Sequence, residues 1–271
     1  MHEILRNLPS GARVLDLGAL SGSFDISCCP SAFTVRVDLE RPDGGTTGAF
    51  VQADAGRLPF RDDSFDALIA NHSLEHIEGL SWALTEMGRV IRARGGMFVS
   101  VPDASTFSDK LFRWIYRERS GHINPFYDIA DIADRISSAT GLELVAVRVL
   151  YSSFEYLNRY YFGKRTSWRL RLLGNGARRS IIMLSYITRL IDRGFGTRLS
   201  IYGWALYFGN IGEVVDQRPR RNVCVGCGAG HDSAWLSACR LVRRRFLVFS
   251  YYSCPSCGSK NLFIADPQAG G

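Results

Sequence analysis

The chain has 271 residues, 46% hydrophobic and 22% charged, with a formal net charge of +7. This composition excludes a disordered or collagen-like polypeptide, and the length suits one large domain and a small one. No run reaches the ~18 apolar residues needed to span a bilayer, since Ile181–Ile191 is interrupted by Arg189. The N-terminal residues lack a secretory pattern, so a soluble, cytoplasmic protein is expected. The charge is uneven: residues 1–151 balance at −5, residues 152–198 at +8 and residues 217–262 at +7. Such basic regions attract nucleic acid, anionic lipid or phosphorylated ligands, or are solvated helix faces.

The predicted elements alternate. Strands are expected at Arg13–Leu17, Phe33–Leu39, Ala49–Ala53 and Phe65–Ala70. A helix is expected over Leu74–Arg92, a fifth strand over Met97–Val101, a helix over Asp128–Thr140 closed by Gly141, and a sixth strand over Leu142–Leu150. Two or three basic helices fill 152–198, a strand follows at Leu199–Phe208, and 209–222 reads as a linker. Apolar strands separated by helices describe an α/β fold with a parallel sheet covered on both faces.

The turn after the first strand reads Asp16-Leu17-Gly18-Ala19-Leu20-Ser21-Gly22. Glycines let the backbone approach a ligand, and a following helix would present free N–H groups, although many such turns are only structural. Asp38 ends the second strand, where a carboxylate can accept both hydroxyls of a ribose. Asp54 follows the third strand and Asn71-His72 the fourth. All fall at strand C-termini, where open α/β sheets bind ligands.

The strings VLDLGALSGSF (14–24), VDLE (37–40) and QADAGRLPFRDDSFDALIANHSLEHI (52–77), with GHINPF (121–126), resemble class I S-adenosylmethionine-dependent methyltransferases of the type 11 group. The resemblance implies a Rossmann-like seven-stranded sheet with its last strand antiparallel. It assigns Asp16, Gly18 and Gly22 to the methionine part of S-adenosylmethionine, Asp38 to the ribose, Asp54 and Ala55 to the adenine, and Asn71 to the sulfonium. Leu20 departs from the family, which usually has glycine there. A sulfonium methyl is already electrophilic, so positioning supplies much of the rate. A base is needed only for an acceptor that loses a proton. His72 and His122 are the candidates, and His76 reads as structural.

Residues 152–198, within a methyltransferase domain drawn at 1–215, form a helical insertion before the last strand, where the family often builds an acceptor lid. The insertion mixes aromatics such as Tyr160, Tyr161, Phe162 and Trp168 with Arg159, Lys164, Arg165, Arg169 and Arg171. Its second helix, Ala177–Arg193, carries Ile181, Leu184, Ile187 and Ile191 on one side. An apolar acceptor pocket, an anionic membrane surface, RNA contact or a plain structural cap each fit this pattern.

Of seven cysteines, Cys224 and Cys227 form one CxxC pair and Cys254 and Cys257 another. Two such turns close a tetrahedral Zn2+ site with no open position, in the manner of a zinc ribbon at 223–262. A module of this size needs the metal to fold. The ribbon also carries Arg240, Arg243, Arg244 and Arg245 followed by Phe246-Leu-Val-Phe249, a surface for RNA or protein. The leading expectation is a methyltransferase acting on a small-molecule or lipid-like acceptor. An RNA methyltransferase using residues 152–198 and 240–245, or a non-catalytic adaptor on the same fold, are the alternatives.

Overall fold

The computed structural model describes residues 1–20, 22–43, 48–116, 121–158, 168–173, 176–212, 217–245 and 249–265. The chain divides into two compact units. The first comprises residues 1–103, 121–148 and 204–217, the second residues 104–120, 149–203 and 218–271.

The first unit opens with a short helix α1 (His2–Arg6) and strands β1 (Arg13–Leu17), β2 (Phe33–Asp38), β3 (Ala49–Gln52) and β4 (Phe65–Asn71). After β4 come helix α2 (Leu80–Val90) and strand β5 (Ile91–Pro102). Helix α3 (Phe107–Ile115) belongs to the second unit, and helix α4 (Ile129–Thr140) to the first. Strands β6 (Leu144–Tyr151) and β7 (Ile201–Gly209) flank the insertion, which carries helix α5 (Arg178–Phe195). The seven strands form one mixed sheet in the order β3-β2-β1-β4-β5-β7-β6. β1, β2, β3, β4 and β5 pair in parallel. The last strand is antiparallel: Gly209 N–H donates to Glu143 O at 2.9 Å, and Ser152 N–H to Ser200 O at 2.8 Å. Chain numbers rise on one strand as they fall on the other, which is an antiparallel register.

The central strands are apolar on both faces, as burial between two layers requires. Val14, Leu15 and Leu17 of β1, Ala67–Ala70 of β4, and Met97, Val99 and Val101 of β5 are all essentially inaccessible. α4 begins on an Asp128 cap whose side chain accepts the Ala130 N–H at 2.8 Å, and it ends on left-handed Gly141, as the sequence predicts.

Three expectations need correction. The helix predicted over 74–92 is a single 3-10 turn (Leu74–His76) followed by α2, because Ile77 is extended and Gly79 takes a left-handed conformation. β5 therefore begins at Ile91, not Met97. The helix expected after the glycine turn is only a 3-10 turn over Ile26–Cys28, capped by Asp25. Serine and two cysteines followed by Pro30 give a helix little room there.

In the second unit, Phe112, Ile115, Tyr116, Phe154, Tyr156, Leu157, Leu170, Ile181 and Val225 form one core. The apolar stripe predicted for α5 also needs correction. Its buried face is Ile181, Ser185, Thr188 and Arg189, while Ile187 is exposed. Arg189 can be buried because its guanidinium donates to the carbonyls of Ser152 at 2.8 Å and Val223 at 3.5 Å. Burial still pushes it down to about 10. The insertion residues Arg159–Ser167, Asn175 and the ribbon's Phe246–Val248 lie outside the described residues.

The C-terminal part builds strands β8 (Asn222–Val223) and β9 (Gly230–His231), helix α6 (Ser233–Ala238), and strands β10 (Val242–Arg245), β11 (Phe249–Ser253) and β12 (Lys260–Leu262). β8 and β9 form a two-stranded sheet, and β10, β11 and β12 a three-stranded antiparallel one. Among the described residues no helix is long and apolar enough to cross a membrane.

Candidate functional site

The strand order turns back between β1 and β4, so a crevice opens at their C-terminal ends. The glycine turn after β1 is fastened to β2: Gly18 and Ala19 donate their N–H groups to Val37 O at 2.8 and 3.3 Å. Gly18 has φ +67, and a Cβ there would collide with the Ser73 side chain. Gly22 has φ +121 and lies against the Arg36 guanidinium, leaving no room for a side chain. Leu20 adopts φ 41, the left-handed region where glycine is the usual residue, and its side chain is 48% exposed.

Asp16 is fully buried beneath this turn. Its Oδ2 accepts the Ser23 N–H at 3.0 Å and lies 3.6 Å from Arg36 Nε. Its Oδ1 is buried without a hydrogen-bond partner among the described residues. Burial raises the pKa of this carboxyl, against the opposing effect of the Ser23 hydrogen bond and of Arg36. Arg36 also donates to Phe24 O at 2.9 Å. Sequence reasoning missed Arg36. Its signal was a charged residue inside the apolar string FTVRVDL, which has to find a buried counter-charge.

Asp38 turns toward the glycine turn. Its Oδ2 accepts the Leu20 N–H at 2.8 Å and its Oδ1 the Glu40 N–H at 3.1 Å. Each carboxylate oxygen has a second lone pair, so the group retains capacity for hydroxyl donors. Asp54 is exposed beyond β3, its Oδ1 holding the Gly56 N–H at 2.8 Å, and Ala55 beside it is half-buried. Asn71, at the end of β4, accepts the hydroxyl of fully buried Ser100 at 2.8 Å. The structure thus brings Asp16, Gly18, Gly22, Asp38, Asp54, Ala55 and Asn71 to the C-terminal ends of four neighbouring strands.

His72 follows Asn71 with φ 54. Burial, reinforced by His122 and His76, pushes it down to about 4. His76 sits on the 3-10 turn with its Nδ1 3.0 Å from Gly121 O, and burial lowers its pKa against that hydrogen bond. The His122 ring packs edge-on against His76, centroids 4.8 Å apart. The structure therefore gathers His72 and His122 around His76, which the sequence reading set aside, and around Glu75, which it did not consider.

In the second unit the four ribbon cysteines converge. Cys224 Sγ lies 3.6 Å from Cys257 Sγ, and Cys227 Sγ 3.7 Å from Cys254 Sγ. A tetrahedral zinc thiolate with ~2.3 Å bonds has S···S edges of about 3.8 Å, so the donor set fits the metal. The two knuckles share one hydrogen-bond pattern. Cys224 N–H donates to Ala229 O and Gly228 N–H to Cys224 O; Cys254 N–H donates to Ser259 O and Gly258 N–H to Cys254 O. Gly226 N–H and the Asn261 side chain each donate to Cys224 Sγ at 3.3 Å, the sulfur hydrogen bonding that supports bound thiolates. Elsewhere in this unit a groove of about 780 Å³ is lined by Ile182 and Met183 of α5 and by Phe249, Tyr251, Lys260, Asn261 and Leu262.

The fold and strand-end site define a class I S-adenosylmethionine-dependent methyltransferase domain. Residues 1–147 match the model of the methyltransferase-domain family, and the chain belongs to that family. It is 33% identical over 125 residues to a demethylmenaquinone methyltransferase of Roseiflexus castenholzii, covering 41% of this chain and 52% of that one. It is 30% identical over 131 residues to a malonyl-[acyl-carrier protein] O-methyltransferase of Methylococcus capsulatus, covering 44% and 47%. The chain thus spans about half the length of these curated relatives. A solved structure from Bacillus halodurans C-125, described as a candidate methyltransferase, superposes with a TM-score of 0.50 at 16% identity. It covers 76% of this chain and 95% of its own, and at that identity shares the fold alone.

Proposed function

We propose that this protein transfers the methyl group of S-adenosylmethionine to a small-molecule or lipid-like acceptor. The carrying observation is the set of polar groups at the ends of β1, β2, β3 and β4, with Asp16 Oδ1 buried and without a hydrogen-bond partner among the described residues. Asp16, Gly18 and Gly22 would hold the amino-acid part of the cofactor, and Asp38 its ribose. Asp54 and Ala55 would face the adenine, and Asn71 the sulfonium. The bound cofactor supplies an electrophilic methyl, so the protein's task is orientation and exclusion of water. Ser100 fixes the Asn71 amide, and Arg36 holds Asp16 in place. The relatives' names offer two acceptor types to try first, a quinone precursor and a carrier-bound carboxylate.

We assign residues 1–215, with the insertion 152–198, to the methyltransferase domain, and 223–262 to a ribbon held by Zn2+ on Cys224, Cys227, Cys254 and Cys257. With four thiolates the metal has no open position, so its role is folding.

The test is transfer of labelled methyl from S-adenosylmethionine to separated pools of quinones and lipids, carrier-bound acids and RNA. Label entering one of the first two pools, and lost in Asp38→Ala, supports the reading. Label entering RNA alone, with binding that falls steeply as salt rises, contradicts the acceptor assignment.

A further inference from the structure

The cluster beside Asn71 adds Glu75 and His76, which the methyl-transfer reading does not use, to the candidate base His122. Glu75 and His76 stand on the 3-10 turn after β4, and His122 on the loop that precedes α4. That loop is fastened to the turn by its own backbone. Ile123 and Asn124 both donate N–H to Glu75 O, at 2.9 and 3.1 Å. The Asn124 side chain donates to Leu74 O and Ile77 O at 2.9 and 2.7 Å. These hydrogen bonds hold the segment directly after His122 against the 3-10 turn.

We propose that Glu75, His76 and His122 bind one divalent transition-metal ion. Their candidate ligand atoms all lie within 4.8 Å of one another. Ligands at ~2.1 Å around a tetrahedral ion are about 3.4 Å apart, so side-chain shifts of about 1 Å complete the site. When His76 Nδ1 carries its proton toward Gly121 O, the Nε2 lone pair is left for a metal. This is the outer hydrogen bond that ligating histidines ordinarily make. The Glu75 side chain is 1% exposed, and its carboxylate is an anionic oxygen donor of the kind that joins histidines around a dication. His72 Nδ1 lies 3.9 Å from Glu75 Oε1 and joins the cluster to the end of β4. Two imidazoles and one carboxylate suit Zn2+, Mn2+ or Fe2+, whereas Mg2+ and Ca2+ favour oxygen alone. Three protein ligands leave a position open, in contrast to the closed set of four cysteines.

The site requires no cofactor, so its test is separate from that of methyl transfer. The full-length protein, carrying zinc on its four cysteines, is titrated with Mn2+ alone, with free Mn2+ followed by electron paramagnetic resonance. Metal analysis after equilibration with excess Zn2+ is the second arm. The expected result is one Mn2+ per chain, or a second Zn2+ per chain. Affinity should fall 10-fold or more in His122→Ala and Glu75→Gln, while the cysteine-bound zinc stays constant. Should Glu75→Gln fail to fold, His122→Asn at the partly exposed loop position decides alone. Absence of both ions, or binding unchanged in the His122 variants, overturns the proposal.

Discussion

At the scale of single residues, the buried pair under the glycine turn is the most consequential feature. Asp16 and Arg36 are 0% and 2% exposed, and removing one partner leaves an uncompensated charge inside the sheet. Arg36→Ala should cost about 3–5 kcal/mol of unfolding free energy. The paired replacement Asp16→Asn with Arg36→Met should cost less than Arg36→Ala alone. Urea denaturation of the two variants beside the unmodified protein checks both statements. Leu20 offers a second reading of the same turn. At φ 41 a leucine is strained, but a β-branched residue is worse. Leu20→Val should lose about 1–2 kcal/mol, and Leu20→Gly should change stability by less than about 0.5 kcal/mol, since relief of strain offsets a looser unfolded chain. The carboxylates Asp16, Asp38 and Asp54 were legible in the sequence because strand ends announce themselves where apolar runs stop. Arg36 and Glu75 were not, because burial of a charged side chain depends on partners far away in the chain.

At the scale of elements, α2 is clamped to the loop before β4 by Arg89, and a bidentate pair within the helix holds that guanidinium in place. Arg89 Nε and Nη2 donate to Glu86 Oε1 and Oε2 at 2.7 and 2.8 Å, and Arg89 also reaches Leu58 O, Phe60 O and Asp62. The Arg89 guanidinium beside Glu86 holds its carboxyl below the ordinary value of 4.5. A carboxylate lowered in the folded state adds stability that is fully present above its unfolded pKa. That stability is lost as pH falls through the lowered folded value. Unfolding free energy should therefore fall below about pH 4.5 by about 1 kcal/mol on account of this pair, and Glu86→Gln should remove that part of the acid dependence. Chemical denaturation from pH 3 to 7, read from the loop side, measures it. Most strands were legible because central positions of a parallel sheet are apolar throughout. Helix limits were less so: Leu74–Arg92 has helical spacing, yet left-handed Gly79 separates a 3-10 turn from α2. The buried polar face of α5 was illegible for the same reason as Arg36, since Arg189 finds its acceptors in Ser152 and Val223.

At the scale of the whole molecule, two different physical devices hold the chain. The first unit rests on the buried strands β1, β4 and β5. The C-terminal sheets have a small core of Cys224, Leu236, Tyr252 and Cys254, and the proposed zinc would supply the remainder of their folding free energy. A strong zinc chelator should abolish amide protection in β8 through β12 while leaving cofactor affinity within about threefold; hydrogen exchange with and without chelator checks this. The CxxC spacing made this module legible from sequence, because two tight turns of that kind have few other uses. The central claim concerns the crevice at the strand ends, and calorimetric titration of the intact protein with S-adenosylmethionine tests it most directly. One saturable site per chain, weakened about 10- to 100-fold by Asp38→Ala, is the predicted result. The absence of both heat and thermal stabilisation at ligand on the order of millimolar would contradict the account.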